Sequence, residues 1–418
     1  MKKSILNICI IFMISLLSIF TPEMKSQNPE WMYFHDILDP DEITAIDNSI
    51  YLTEDYNRVI RINLENLEID TIAHISAVSG IVHDKEKNIW MSTRFNGIYK
   101  YSNGNLENFT SSNSGLPDSR VYDLAVDNNN NIWCATRQGL AKYDGTDWEV
   151  YHFEHLETNG YIYRLAIDKD GSIWVINHYS PYIIAKFNNG EFTPYNGENT
   201  GITSINWSWD IDIDSKGNKW FVAGIRQSDS LGGLIIYDGD VWSIYDKHNS
   251  EISDHQFVAL AIDSNDIIWT GSYYSGLYRF DGENWTNLNS SNSGLTANDV
   301  RSISVDKYNN KWIININEAA GNEYVLEVYN EGGVLLPSNV EEVLRKKSEI
   351  SPRIYPNPAS EIITVSDIVM RQRKFTITNI LGQVMLGGEF YQEINISTLP
   401  KGYYLLHYEQ FHLNFFKI

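Results

Sequence analysis

The sequence predicts an all-β protein, a seven-bladed β-propeller of four-stranded blades followed by a small C-terminal β-sandwich. One phrase recurs seven times: an apolar stretch ending in Asp, a polar turn, an Ile/Lys–aromatic pair, then Gly–apolar–x–x–Tyr/Phe. Six copies place Asp and Trp six residues apart, at Asp84/Trp90, Asp127/Trp133, Asp168/Trp174, Asp214/Trp220, Asp263/Trp269 and Asp306/Trp312. A repeat of about 40–50 residues that reads as short strands is the pattern of radially stacked blades. Beyond Pro337 the phrase stops. Residues 353–418 instead alternate with period two, at Ile362/Thr364, Phe375/Ile377, Val384/Leu386, Ile394/Ile396 and Tyr403/Leu405, without Trp or Cys. That alternation suits an antiparallel sandwich.

Each element follows in order. Residues 1–26 read as a secretory signal peptide: basic Lys2 and Lys3, apolar Ile5 to Phe20, then small Ser26, with cleavage expected near Ser26–Gln27. The propeller occupies 27–336. In its first copy Ile43–Asp47 matches the inner strand, Ile50–Tyr51 matches Ile–Trp across a turn two residues shorter, and Leu67–Asp70 is the expected outer strand. The copy from Arg120 to His152 spells out a whole blade, with strands at Tyr122–Val126, Ile132–Thr136, Gly139–Tyr143 and Trp148–His152. Hairpin signals recur at Asn103-Gly104, Asp144-Gly145, Asn189-Gly190, Asp238-Gly239 and Asp281-Gly282. Each blade has two apolar faces, so one large aromatic between neighbouring sheets is expected, and burying each Trp contributes about 1.5–3 kcal/mol or more. Upstream, Trp31–His35 reads like the outer strands at Trp148, Trp242 and Trp285 but precedes the first blade. Its expected place is the last blade, closing the ring without an open seam; Val334–Leu336 is the alternative. Residues 337–352 are a polar linker.

Charge is unevenly distributed. Of the net −22, the leader carries +2 and residues 353–418 carry +1, so the intervening 27–352 hold −25. Such a field repels phosphate backbones and excludes nucleic acid as the expected partner. The apolar run of the leader is short for a membrane span of about 20 residues, so no membrane-spanning segment is expected. Cys9 leaves with the leader, and the remaining Cys134 has no partner for an intrachain disulfide.

Two resemblances sharpen this reading. Asp127-Asn-Asn-Asn-Asn-Ile-Trp-Cys-Ala-Thr-Arg-Gln-Gly-Leu140, with a second version from Asp263 to Leu277, resembles the repeats of two-component-regulator propellers. That resemblance covers about residues 30–336 and implies a ligand-sensing domain outside the cell; no transmembrane helix or kinase follows in this sequence. The tail resembles the C-terminal sorting domain of the type IX secretion system. Its motifs are Tyr355-Pro-Asn-Pro-Ala-Ser360 (Tyr355, Pro356, Asn357, Pro358), Ile380-Leu-Gly-Gln-Val384 (Leu381, Gly382) and Leu399-Pro-Lys-Gly-Tyr-Tyr404 (Pro400, Lys401, Gly402, Tyr403). The resemblance implies the type IX secretion machinery as partner, and a secreted or outer-membrane-surface location after signal-peptide removal. The prolines fix a stiff start, Leu-Gly marks a hairpin, and Pro-Lys-Gly marks a turn.

Catalytic signatures are missing: no Gly-x-Ser-x-Gly, His-Glu-x-x-His, Gly-x-x-x-x-Gly-Lys or Cys-x-x-Cys occurs. No catalytic residue, metal site or cofactor is therefore assigned. The repeated Asp is expected to bond its own turn backbone. Asp210-Ile-Asp-Ile-Asp214 resembles the opening of a calcium loop, but Gly217 comes too late for the turn. Asp212 stands where aligned inner strands hold Ala45, Ala125, Ala166, Ala261 and Ser304; a carboxylate there needs a hydrogen-bond partner, a charge partner or water. Ten of twelve Trp occupy second- or outer-strand positions, and the exceptions, Trp207 and Trp209, stand where an inner strand begins. At that end of the ring, four residues beyond the core Trp, stand Arg94, Arg137, His178 and Tyr273, with Arg226 in a longer loop. Arg with exposed aromatics can fork onto carboxylates and stack on flat rings or sugar faces. These seven residues are the expected ligand-binding set. The expected function is a non-catalytic binding module for an extracellular carbohydrate, peptide or surface component. The alternative is a lyase similar to streptogramin lyases, which needs a metal and a convergent acid–base set; His178 and His255 are its candidates.

Overall fold

The computed structural model describes residues 30–34, 37, 40–156, 160–202, 207–224, 232–253, 256–317, 323–335, 354–355, 357–365, 373–390, 393–408 and 411–418. Two compact units divide between Leu336 and Pro337.

The first unit consists of seven four-stranded antiparallel sheets. Inner strands run over Ile43–Ile46, Val78–His83, Val121–Val126, Tyr161–Ile167, Ser208–Ile213, Phe257–Ile262 and Asp299–Val305; the blades are numbered in that order. Blade 3 continues through Ile132–Thr136, Gly139–Tyr143 and Trp148–Tyr151, within one residue of each expected boundary. The repeat Trp covers the following blade. Trp90 packs with Val121, Leu124 and Ile132, and Trp133 packs with Leu165, Ile173 and Val175.

The spacing of six has a direct cause. In blade 3, Asp127 Oδ1 accepts the backbone N–H of Asn129 and Asn131 at 2.8 and 2.9 Å, while Oδ2 accepts Trp133 Nε1–H at 2.9 Å. The carboxylate thus bonds its own turn, as expected, and also fixes the core indole. The same Asp–Trp bond forms at Asp84/Trp90, Asp214/Trp220, Asp263/Trp269 and Asp306/Trp312. Blade 4 departs from this. Trp174 Nε1 has no hydrogen-bond partner, and Asp168 pairs with Lys219 of blade 5 at 2.6 Å.

Blade 1 corrects two expectations. Its outer strand is Ile69–Ala73 rather than Leu67–Asp70. Tyr51 pairs with Thr44, not Ala45, so Thr44 is the counterpart of Ala125, which pairs with Trp133. Ile46 then stands at the position of the repeat Asp. The strand runs straight into a two-residue Asp47–Asn48 turn, with Ile46 opposite Ser49 and Asp47 at φ +51°.

Ring closure takes the expected form. Trp31–Phe34 pairs antiparallel with the third strand of blade 7 (Glu323–Tyr329), with Trp31 opposite Tyr329 and Phe34 opposite Leu326. Trp31 and Tyr329 ring centroids lie 4.5 Å apart, and Tyr33 Oη donates to Gly294 O at 2.7 Å. Val334, in the alternative closing segment, is buried but lies in no strand. His35 lies outside the described residues.

The second unit holds a three-stranded sheet (Ile354–Tyr355, Ile362–Val365, Glu393–Asn395) and a four-stranded sheet (Val384–Phe390, Arg373–Asn379, Gly402–Tyr408, Phe411–Lys417). They share a core that includes Ile363, Ile377, Ile396, Leu406 and Phe415. Leu381–Gly382 forms the expected hairpin, with Asn379 Oδ1 accepting the N–H of Leu381 and Gln383. Tyr404 Oη donates to Pro400 O at 2.8 Å and braces the Pro-Lys-Gly turn. The leader, the linker and Pro356 lie outside the described residues.

Deleting residues 27–37 should destabilise the whole propeller, because it exposes the edge of Glu323–Tyr329 and uncovers Tyr329. Urea unfolding followed by Trp fluorescence should show a lower midpoint; an unchanged midpoint would refute closure by this strand.

Candidate functional site

Six inner strands carry a register shift at their first turn, between Val78/Gly80, Val121/Asp123, Ile162/Arg164, Ser208/Asp210, Phe257/Ala259 and Val300/Ser302. A bulge bends its strand and re-aims side chains. Of the residues at these shifts, Tyr163, Trp209, Val258 and Arg301 line the opening where the inner strands begin. A cavity of about 310 Å3 opens there, lined by Glu42, Asp123, Tyr163, Arg164, Trp209 and Asp210, with Arg94, Tyr273, Arg301 and Tyr324 also contributing.

Arg164 organises the cavity floor. Its Nη1 donates to Ser79 O at 2.9 Å, its Nη2 lies 3.5 Å from Glu42 Oε2, and Asp123 Oδ1 is 4.0 Å away. The guanidinium lies over the Tyr163 ring at 5.0 Å. The aspartates bridge neighbouring blades. Asp123 accepts the N–H of Leu165, Asp210 that of Leu260, and Asp212 that of Ile262, at 3.0, 3.0 and 3.1 Å. Asp212 therefore has the structural partner its position demands. Burial pushes the carboxyl of Asp123 up to about 6, Asp210 to about 7 and Asp212 to about 6, while Arg164 opposes the shift at Asp123 and Asp210. Burial also raises Glu42.

One wall is aromatic. Tyr122 stacks on Tyr161 at 4.2 Å, Tyr163 stacks on His178 at 4.2 Å, and His178 stacks on Trp207 at 3.8 Å. Trp209 meets Tyr163 and Trp207 edge-on at 6.0 and 5.7 Å.

The expected binding residues separate. Arg94, Trp209 and Tyr273 meet at the cavity. Trp207 is 7% exposed, not the partly exposed side chain expected, because it is sandwiched against His178. His178 is 1% exposed, with Nε2 2.7 Å from Ser208 O and Nδ1 3.2 Å from Tyr161 Oη, so it supports the wall rather than facing a ligand. Arg137 lines a separate cavity of about 440 Å3 with Asp118, Arg120 and His152. Arg226 and His255 lie outside the described residues. Among the described residues, no group of three His, Cys, Asp or Glu is placed to hold a metal ion.

Sequence reasoning missed Asp123 and Arg164, and took Asp210 only as part of a run resembling a calcium loop, although a charge inside an inner strand is the same signal that singled out Asp212. It also missed the rim. Five residues beyond the core aromatic, one further than Arg94 and Tyr273, stand Tyr56, Phe95, Tyr179 and Tyr274, exposed by 55, 68, 40 and 65%.

Comparison with known proteins follows the two units. Residues 353–415 match the family model "Secretion system C-terminal sorting domain", and residues 115–138 match "Two component regulator propeller". The chain joins regulator-type propeller repeats to a type IX sorting tail. No curated protein matches it. Among solved structures it is similar to PorZ of Porphyromonas gingivalis, a surface component of the type IX secretion system (15% identity, 90% of this chain and 59% of that one, TM-score 0.56). It is also similar to the extracellular domain of a protein assigned as a hybrid two component system in B. thetaiotaomicron (14%, 93% and 57%, TM-score 0.57). A third is virginiamycin B lyase from Staphylococcus aureus (14%, 72% and 99%, TM-score 0.58). The chain spans less than two thirds of the length of the first two, and at these identities the likeness shows the fold. The sorting tail indicates export to the cell surface or outer membrane. No described helix is long and apolar enough to cross a membrane.

The raised carboxyls predict a pH dependence. Their folded values lie above the unfolded range, so the folded state holds more protons and stability falls as pH rises through about 6 to 7. The propeller should need more urea to unfold at about pH 5 than at about pH 8, and Asp210→Asn should shrink that difference. An identical slope in wild type and variant would show that Asp210 does not titrate there.

Proposed function

We propose that this protein is a non-catalytic binding module that recognises an extracellular carbohydrate, peptide or surface component at the channel mouth. One observation carries the reading: four exposed aromatics at the same repeat offset, Tyr56, Phe95, Tyr179 and Tyr274, on the loops at the end of the ring where the polar cavity opens. Exposed flat rings stack on sugar faces or peptide side chains, and the buried Arg and carboxylates beneath supply orientation. A concave site with a few convergent polar groups and shifted carboxyls is where ligands bind. The type IX tail would deliver the module, after removal of the 1–26 leader, to the surface or the medium. PorZ, which shares the fold, is itself a surface component of that secretion system.

Glycan and peptide arrays probed with the mature chain should identify the ligand. Phe95→Ala and Tyr274→Ala should each weaken binding by about 1–3 kcal/mol and leave the thermal midpoint nearly unchanged, since both side chains are exposed. Full retention of binding in the double variant would place the ligand elsewhere.

Delivery has its own test. A chain lacking residues 353–418 should be made and cross the inner membrane, then accumulate in the periplasm. Surface display at the normal level would refute the role of the tail.

A further inference from the structure

At the opposite end of the ring the sequence of the repeat fails in blade 1. Elsewhere the repeat Asp and its Trp fill the space between a blade and its successor. Blade 1 has Ile46 in place of that Asp, Tyr51 in place of the Trp, and only Asp47–Asn48 as a turn. Less material leaves a notch. A cavity of about 690 Å3 lies there, lined by Ile46, Ser49, Tyr51 and Arg61 of blade 1, His83, Lys87 and Ile89 of blade 2, and Lys307 of blade 7.

Its charge runs against the rest of the domain. In a segment of net −25, this lining brings together Arg61, Lys87 and Lys307, with His83 beside them, and contains one acid, Asp47. Asp47 is ion-paired with Lys87. Lys307 makes no ion pair among the described residues; its Nζ lies over the Tyr308 ring at 4.7 Å. Arg61 gives Nη2 to Asp70 at 2.5 Å, while its Nε is buried without a hydrogen-bond partner. That nitrogen is closed off from the cavity, so Arg61 contributes its positive charge to the lining rather than a free donor. Guanidinium and ammonium groups around a half-apolar cavity suit a ligand with an anionic group on a compact apolar body.

We infer that the notch between blades 1 and 2 is a second binding site, distinct from the mouth, for a small ligand bearing a carboxylate, sulfate or phosphate. Lys307 binds the anionic group, the charge of Arg61 favours it, and Ile46, Tyr51 and Ile89 hold the rest.

Titrating the mature chain with benzoate, inorganic sulfate and inorganic phosphate, at constant ionic strength set with chloride, tests this by calorimetry and thermal shift. Saturable binding of at least one probe is expected, and the carboxylate arm against the sulfate and phosphate arms identifies the group recognised. Lys307→Ala, in an exposed turn, should weaken that binding by about tenfold, the scale of one charge-assisted hydrogen bond. Arg61→Gln, which removes the charge, should weaken it as well. Phe95→Ala at the mouth should change nothing, which separates this site from the proposed function. Non-saturating effects from all three probes, or binding unaltered by Lys307→Ala, would overturn the proposal.

Discussion

The pairing of Trp31–Phe34 with Glu323–Tyr329 is the constraint on which the rest of the ring depends. A four-stranded blade presents two apolar faces and two edges and cannot bury them alone, so each blade is stable only through its neighbours. A ring of such blades has no natural end. By supplying its outermost strand from the other end of the chain, blade 7 links the first residues of the domain to the last. Trp31 then covers Tyr329, and Phe34 lies 5.2 Å from Trp312. With the circle fixed, the inner strands converge at a set radius, and the polar groups they carry are forced into one channel.

That convergence explains the charged centre. Asp123, Asp210 and Asp212 would be costly in a channel wall if left bare. Each accepts a backbone N–H from the adjoining blade, so each carboxylate also ties two blades together. Ser304 Oγ does the same between blades 7 and 1, accepting Ala45 N–H at 2.9 Å. Arg164 extends this across the opening, reaching the backbone of blade 2 and the carboxylates of Glu42 and Asp123. A buried ion cluster is weak evidence for stability and better evidence for a specified geometry. Here the geometry specified is a rigid floor beneath a wall of stacked rings.

How far the sequence could be read follows from how local each signal is. The Asp–Trp spacing, the Asp-Gly and Asn-Gly turns and the period-two tail are contained in a few consecutive residues, and the blades, the closing strand and the sandwich were legible from them. Blade 1 was misread by one residue at its inner strand because its short turn hides where pairing begins; only the register of Tyr51 with Thr44 reveals it. The mouth was half legible. Trp207 and Trp209 both break the pattern, but the bulge between Ser208 and Asp210 sends Trp209 to the cavity and leaves Trp207 against His178. No sequence spacing carries that distinction, since it arises from a local kink. The exposed rim, by contrast, was fully encoded, one residue beyond the offset considered.

The two candidate sites share a logic. A propeller repeat is a device for filling space between blades, so a ligand can be accommodated only where the repeat is interrupted. At the mouth, Asp123, Arg164 and Asp210 stand where other inner strands hold Gly80, Ala259 and Ser302. At the far end, a missing Asp–Trp pair in blade 1 leaves a gap that basic side chains surround. Blade 4 carries a different interruption. Trp174 also lacks its Asp partner, while Lys219 pairs with Asp168 and lies over the Trp174 ring at 5.4 Å. In blade 4 a neighbouring side chain thus occupies the place beside the Trp, whereas in blade 1 the space stays open as the notch.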